Sequence, residues 1–288
     1  MASVGVYLVI GYAVASRLSS PVRRTLERTP ADVGLDYEEV VVPSGDGLSL
    51  GAWWVGSAGS PRAAVLVHGW GGDRSDLAVV ETALVYERAG FNVLMLNLRA
   101  HGESEGDRVT VGYREVRDVR GALSWLEERG IDPGDVVLHG WSMGGAAVVR
   151  AAPSTGVAAV VEEAAYAELV PLLRERIPEA SGLPAFFNPG VLLMGRLLLG
   201  IDPWSVRPVE EARQLYREGV PFMIIHSRDD EMVPFEHART LAAAHPDATF
   251  WEMGGYEHVA SHTHPEYTER LLSFLRGASS SSPRGAGA

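Results

Sequence analysis

Five residues, Gly140-Trp141-Ser142-Met143-Gly144, constrain this chain more than anything else in its 288 positions. They stand between the apolar run Val136-Val137-Leu138 and a stretch of small residues, Gly144 to Ala152, that reads as a helix. A chain passing from strand to helix through one serine holds that serine in a strained backbone conformation with no room for bulk two residues either side. Glycine occupies both of those places.

The pattern alone is weak. With 32 Gly and 22 Ser, roughly 0.3 copies of Gly-x-Ser-x-Gly are expected by chance, and the chain has three. Context separates them. Gly47-Leu48-Ser49-Leu50-Gly51 lies inside the alternating run Leu48–Val55, half of a hairpin, so Ser49 is an ordinary strand residue. Gly102-Glu103-Ser104-Glu105-Gly106 follows the apolar run Asn92–Leu98 but leads into polar, charged sequence, a loop that could border a site. Only Ser142 has a strand before it and a helix after it. That helix would turn its free N–H groups and positive dipole end toward the serine, where acyl transfer develops negative charge. Ser142 is the candidate nucleophile.

The same alternation organises the rest of the chain. Glu38–Pro43 and Leu48–Val55 read as a hairpin around Ser44-Gly45-Asp46-Gly47. Strands Ala63–Val67, Asn92–Leu98, Val136–Leu138 and Ala158–Val161 then alternate with helices Asp76–Ala89, Val116–Arg129 and Gly144–Ala152. This predicts the α/β class, with a mostly parallel sheet covered by helices on both faces and the loops at the strands' carboxyl ends sharing one edge. From about 163 to 211 the pattern breaks into Leu-, Phe-, Met- and Pro-rich stretches. These are expected to form a short helical cap over the site, giving an apolar pocket, or else to pack on the core.

Three loops can supply the remaining chemistry. Ala63–Val67 ends in His68-Gly69-Trp70-Gly71-Gly72, whose glycines let backbone amides face a ligand. The N–H groups of Trp70 and Met143 would form an oxyanion hole, with His68 bonding locally to shape the loop. The strand Val220–His226 leads into a loop carrying Asp229 and Asp230, and Glu162 and Glu163 end an earlier strand; any of the four could orient a base. His258, His262 and His264 fall close together. A metal site needs three or four ligands in defined geometry and no cysteine is present to help, so no metal and no cofactor is expected. His258 follows the strand Thr249–Met253 and a Gly254-Gly255 turn, ahead of the helix Pro265–Leu275, where a general base is expected. His262 and His264 read as solvated loop.

These pieces together resemble an α/β-hydrolase of the serine-esterase and serine-aminopeptidase-like group over about 35–276. The residues that carry the resemblance are His68-Gly69-Trp70-Gly71-Gly72, Arg99-Ala100-His101-Gly102-Glu103-Ser104, Gly140-Trp141-Ser142-Met143-Gly144, Asp230-Glu231-Met232-Val233-Pro234 and His258. Ala100, where relatives often carry glycine, and Ser227 after His226 depart from the pattern as loop substitutions that leave Ser142, Asp230 and His258 untouched. The resemblance implies Asp230 as the acid of a Ser142, Asp230, His258 triad. It also implies hydrolysis of small to medium hydrophobic carboxylic esters. Thioesters, peptides, acyl transfer, haloperoxidase chemistry and a non-catalytic binding role share the scaffold.

Composition narrows the field. All 25 basic residues are arginine, which removes Ser-Lys dyads, Schiff-base lysines and the P-loop lysine. Without cysteine there are no thiol nucleophiles, disulfides or thiolate metal sites. A net charge of −12 with no basic block argues against nucleic acid as a partner.

Residues 1–34 form an apolar segment and linker. Ala2–Ala15 is almost wholly apolar and precedes Arg17, Arg23, Arg24 and Arg28. At ~1.5 Å per residue, a helix of about 17 residues falls just short of a ~30 Å bilayer core. Three readings fit: a membrane anchor over about 2–16 with the catalytic body cytoplasmic, a cleaved signal peptide, or a helix packed elsewhere in a soluble cytoplasmic or secreted protein. Residues 277–288, rich in Gly, Ala and Ser, read as a disordered tail.

Overall fold

The computed structural model describes residues 2–281. An N-terminal helix, α1 (Ala2–Leu18), precedes the hairpin β1 (Glu38–Pro43) and β2 (Ser49–Val55). There follow β3 (Ala63–Val67), α2 (Leu77–Arg88), β4 (Asn92–Leu96), α3 (Glu115–Glu127), β5 (Val136–Trp141), α4 (Met143–Ala151) and β6 (Ala159–Glu163). Three helices, α5 (Leu169–Ser181), α6 (Asn188–Leu199) and α7 (Pro208–Glu218), lead to β7 (Phe222–Ser227), α8 (Glu236–Ala244), β8 (Thr249–Met253) and α9 (Tyr267–Ser281).

Among the described residues eight strands form one sheet in the order β1-β2-β4-β3-β5-β6-β7-β8. The hairpin pairs antiparallel, as does β2 with β4; every pairing from β4 to β8 is parallel. Buried strands with apolar residues on both faces require cover on both sides. Alternate residues of β3 serve the two faces: Ala63, Val65 and Val67 join α3, α4, α7 and α8 in one core, while Ala64 and Leu66 join α2 and α9 in the other. The carboxyl ends of β3, β5, β7 and β8 therefore bring the loops after Val67, Trp141, Ser227 and Met253 to one edge.

β5 runs three residues beyond the expected Leu138 because His139, a polar residue that looks like a strand end, is paired inside the sheet. The segment expected to form a cap over about 163–211 divides: α7 packs on α4 and α8, while α5 and α6 pack on each other and α6 on α1. Helix α9 continues through Ser281, so the tail is helical at 277–281; its remainder, 282–288, lies outside the described residues.

Helix α1 packs along α6. A Cβ on Gly11 would stand 2.8 Å from the Gly190 carbonyl, so the backbones touch. The Tyr7 ring stacks on Phe187 at 5.2 Å, and its hydroxyl donates to Phe186 O and accepts from Gly190 N. Among the described residues no single helix is long and apolar enough to cross a membrane.

Candidate active site

Ser142 sits between β5 and α4 with φ 51° and ψ −115°, a conformation that L-residues adopt only under constraint. Its N–H donates to Glu163 O at 2.7 Å and its carbonyl accepts from Ala146, which fixes the turn from both sides. The flanking glycines are steric necessities. A Cβ on Gly140 would drive into the backbone of Gly144 and Gly145, and one on Gly144 into the carbonyls of Val67 and His68.

His258 and Asp230 arrive from the loops after β8 and β7. His258 Nδ1 lies 2.7 Å from Asp230 Oδ2, and the other carboxylate oxygen accepts from Met232 N at 2.8 Å and Val233 N at 2.9 Å. Burial pushes the Asp230 carboxyl up, but the His258 hydrogen bond and charge, with Val233 N–H, outweigh it and hold the group below the usual carboxylate range. An ionised Asp230 makes Nδ1 of His258 the protonated nitrogen and leaves Nε2 free to accept. Ser142 and His258 line the same cavity, although no hydrogen bond joins Ser142 Oγ to the ring among the described residues. Such bonds are often loose without substrate.

The loop after β3 closes the other side of Ser142. A Cβ on Gly69 would come within 3.3 Å of Ser142 Cβ, so the loop lies close against the serine and an added methyl would press on it. The amides of Trp70 and Met143 find no protein acceptor among the described residues. His68 is fully buried and bonds locally as expected: Nδ1 donates to Gly69 O and Nε2 accepts from Leu98 N. Burial, then repulsion from His101, holds its pKa well below that of a free imidazole, so it stays neutral.

A family model described as "Alpha/beta hydrolase family" matches residues 64–271. The chain belongs to the alpha/beta hydrolase family. Hydrolysis is the class of activity that this membership supports. Two curated relatives are similar over most of their length. Alpha/beta hydrolase domain-containing protein WAV2 of Arabidopsis thaliana is 28% identical over 80% of this chain and 75% of the relative. Uncharacterized protein YqkD of Bacillus subtilis is 25% identical over the same shares. Among solved structures, the esterase Pf2001 of Pyrococcus furiosus aligns with a TM-score of 0.73 at 22% identity, covering 90% of this chain and 99% of that one, which shows the shared fold.

In this hydrolase a cavity of about 390 Å³ opens beside Ser142 and His258. Its walls are mostly apolar, with Trp70, Leu169, Leu172, Leu173, Ile177 and Met232, and Arg176 and Glu179 stand among them. A second cleft, of about 410 Å³, meets the same two residues from the side of Gly71 and His262. Trp141, next to Ser142 in the chain, lies outside the apolar cavity. It is buried, with its ring stacked on His139 at 4.4 Å. Arg176 of α5 donates to Glu231 O at 2.6 Å, tying the cap to the Asp230 loop.

Several sequence candidates lie away from this group. Ser104 is a buried structural hydroxyl that donates to Asn97 O and accepts from Gly51 N. His264 is not solvated loop; it is half-buried and packs against Trp251 and Tyr256. Asp229 accepts from Gly255 N at 2.6 Å.

Glu163 belongs to a network that sequence reasoning missed. It accepts from His139 Nε2 at 2.7 Å, from Tyr267 OH at 2.5 Å, and from Ser261 Oγ, three residues beyond His258. Burial pushes this carboxyl up, but those donors and the His139 charge outweigh burial and hold it below its ordinary value. The available signal was two adjacent carboxylates ending an apolar strand, which cannot be buried without partners.

Proposed function

We propose that this protein is a serine hydrolase that cleaves carboxylic esters of small to medium hydrophobic substrates through an acyl-enzyme. The observation that carries the reading is the 2.7 Å bond between Asp230 and His258, with His258 and a serine held at φ 51° lining one apolar cavity. His258 Nε2 takes the Ser142 proton as Oγ attacks the ester carbonyl. The amides of Trp70, in the loop after β3, and of Met143, at the start of α4, hold the oxyanion, and His258 returns the proton to the departing alkoxide. Water, deprotonated by His258, then releases the acid and restores Ser142. The apolar cavity takes the acyl group, and the cleft beside Gly71 serves leaving group and water.

The test is p-nitrophenyl butyrate hydrolysis by wild type and Ser142→Ala. A burst and steady turnover that vanish in the variant support the reading. Turnover surviving in Ser142→Ala, or activity confined to acyl thioesters or peptides, sinks the mechanism or the substrate class respectively.

For location we propose that about 2–16 attach the protein to a membrane with the catalytic body cytoplasmic. Exposed Val4, Val6 and Val9 on α1 and Leu197 and Leu198 on α6 support attachment, and Arg17, Arg23, Arg24 and Arg28 after the segment support the orientation. The full chain should co-sediment with anionic vesicles and a chain lacking 2–16 should not. Equal recovery of both in the supernatant overturns the proposal.

A further inference from the structure

The apolar cavity at Ser142 backs onto a second one. A chamber of about 70 Å³ lies behind the cap wall, and the two share five residues, Leu18, Val111, Leu169, Leu173 and Ile177. Its far side is built from Ala15 of α1 and Val191, Leu192 and Gly195 of α6. The two hydroxyls on its wall are already bonded, Thr110 to Glu115 and Ser19 to Arg108, so nothing there asks for a polar guest. The space exceeds several-fold the ~10–15 Å³ that holds one water, in a place with little to bind water.

Two independent features keep the chamber open. Val111, in the shared wall, has φ 48°, a genuine outlier for a β-branched residue, and is held there by the Tyr166 hydroxyl donating to its carbonyl at 2.9 Å. Gly195 is the other. Glycine weakens a helix interior, and a close backbone approach explains it at Gly190, where a Cβ would stand 2.6 Å from the Tyr7 ring. No such approach exists at Gly195: a Cβ there would meet only Ala15 Cβ, at 3.9 Å. What its missing side chain leaves is the chamber itself.

We propose that the rear chamber is an acyl-chain site. It takes the distal methylenes of a medium-chain acyl group whose carboxyl carbon lies at Ser142, with α1 as its back wall and so a determinant of chain length. The direction of the chain rests on the esterase reading. The apolar walls and the junction at Leu18, Val111 and Leu173 do not.

Gly195→Leu fills the chamber from a position outside the catalytic group, and leucine is the better helix former, so the fold is preserved. Two measurements are made on wild type and variant: kcat/KM for p-nitrophenyl esters from butyrate to dodecanoate, and calorimetric binding of the free carboxylates over the same range. Each methylene accommodated is worth about fourfold, the equivalent of ~0.8 kcal/mol. Wild type should gain in both measurements through dodecanoate. Gly195→Leu should lose at least about tenfold on dodecanoate, roughly two methylenes' worth, with butyrate unchanged. Gly195→Ala should fall between. Identical length profiles in all three proteins overturn the proposal. Butyrate ester turnover with no tighter binding of dodecanoate than butyrate overturns the chamber and leaves the esterase standing. Dodecanoate binding that Gly195→Leu weakens, with no ester cleaved, upholds the chamber and removes the esterase.

Discussion

Asp230→Asn is the substitution whose consequence the geometry fixes most tightly. One carboxylate oxygen of Asp230 accepts from both Met232 N and Val233 N, and the other faces His258 Nδ1 at 2.7 Å. Asparagine has one acceptor oxygen and one donor nitrogen to divide between them. The two backbone amides claim the oxygen, because presenting NH₂ to them would set donor against donor and cost about 1–3 kcal/mol for each amide left unpaired. The side-chain nitrogen must then donate to His258 Nδ1. An imidazole accepting at Nδ1 carries its proton on Nε2, the nitrogen that receives the serine proton in the proposed mechanism. The loop stays intact while the base is held in the wrong tautomer.

The expected loss is about four decades in kcat, equivalent to about 5.5 kcal/mol of transition-state stabilisation. KM should stay nearly constant, since Asp230 does not line the apolar cavity. Asp229→Asn is the control one residue away; its carboxylate touches Gly255 N and not the ring, so turnover should change by no more than a few-fold. The assay is steady-state p-nitrophenyl butyrate hydrolysis with circular dichroism to confirm folding. A folded Asp230→Asn that keeps a tenth or more of wild-type kcat would refute the tautomer argument and remove Asp230 from the mechanism.

Three further outcomes follow from contacts already described. Gly144→Ala puts a methyl into the carbonyls of Val67 and His68 and should cost about 3 kcal/mol or more in urea denaturation, whereas Gly5→Ala, with open space around it, should cost nothing; equal midpoints would show that the turn relaxes. Glu163→Gln keeps one oxygen for His139 and Tyr267 but turns an NH₂ toward Ser261 Oγ, which must reverse from donor to acceptor, so amide exchange around 258–264 should quicken and kcat should fall more than KM changes. An unchanged exchange pattern there would make Glu163 irrelevant to His258. Glu162→Gln tests a pH slope. Burial drives the Glu162 carboxyl well above its ordinary 4.5, the Ala165 N–H opposes this, and Glu163 and Asp230 add to the rise. The folded chain thus keeps a proton that the unfolded chain releases, so wild-type stability is whole below about pH 4.5 and declines as pH rises toward the folded value. Relative to wild type, the melting temperature of Glu162→Gln should climb between about pH 5 and pH 8; a difference independent of pH would contradict the burial argument.

Much of the fold was legible because parallel strands buried on both faces leave a plain trace. Ala63–Val67 and Thr249–Met253 were read with their observed bounds, and Asn92–Leu96 to within two residues. The order of strand, Gly-Trp-Ser-Met-Gly and small-residue helix located Ser142 for a steric reason, and the coordinates repeat that reason at Gly140 and Gly144. Sequence could bring Asp230 and His258 only to the right loops. Asp229 and Asp230 are equal in composition, and what separates them is which carboxylate meets Met232 N and Val233 N and which meets Gly255 N. That choice is made by loop geometry, which leaves no periodic signal.

Helix α1 illustrates the opposite difficulty, in which one sequence signal serves several structures. A helix apolar on all sides is expected of a membrane segment and equally of a helix that packs on one side and lines a cavity on another. The glycines decide more than the hydrophobicity does. Gly11 faces Gly190 because the α1 and α6 backbones meet there, and Tyr7 hydrogen-bonds across the same seam. These contacts are specific to the partner helix, and a lipid would not require them. A segment judged by hydropathy alone is thus read as an anchor, while one judged by where its glycines must lie is read as a wall of the cap. The two readings separate experimentally, because vesicle binding depends on the exposed Val6 and Val9 face, and acyl-length selection depends on Ala15 and Leu18 on the inner one.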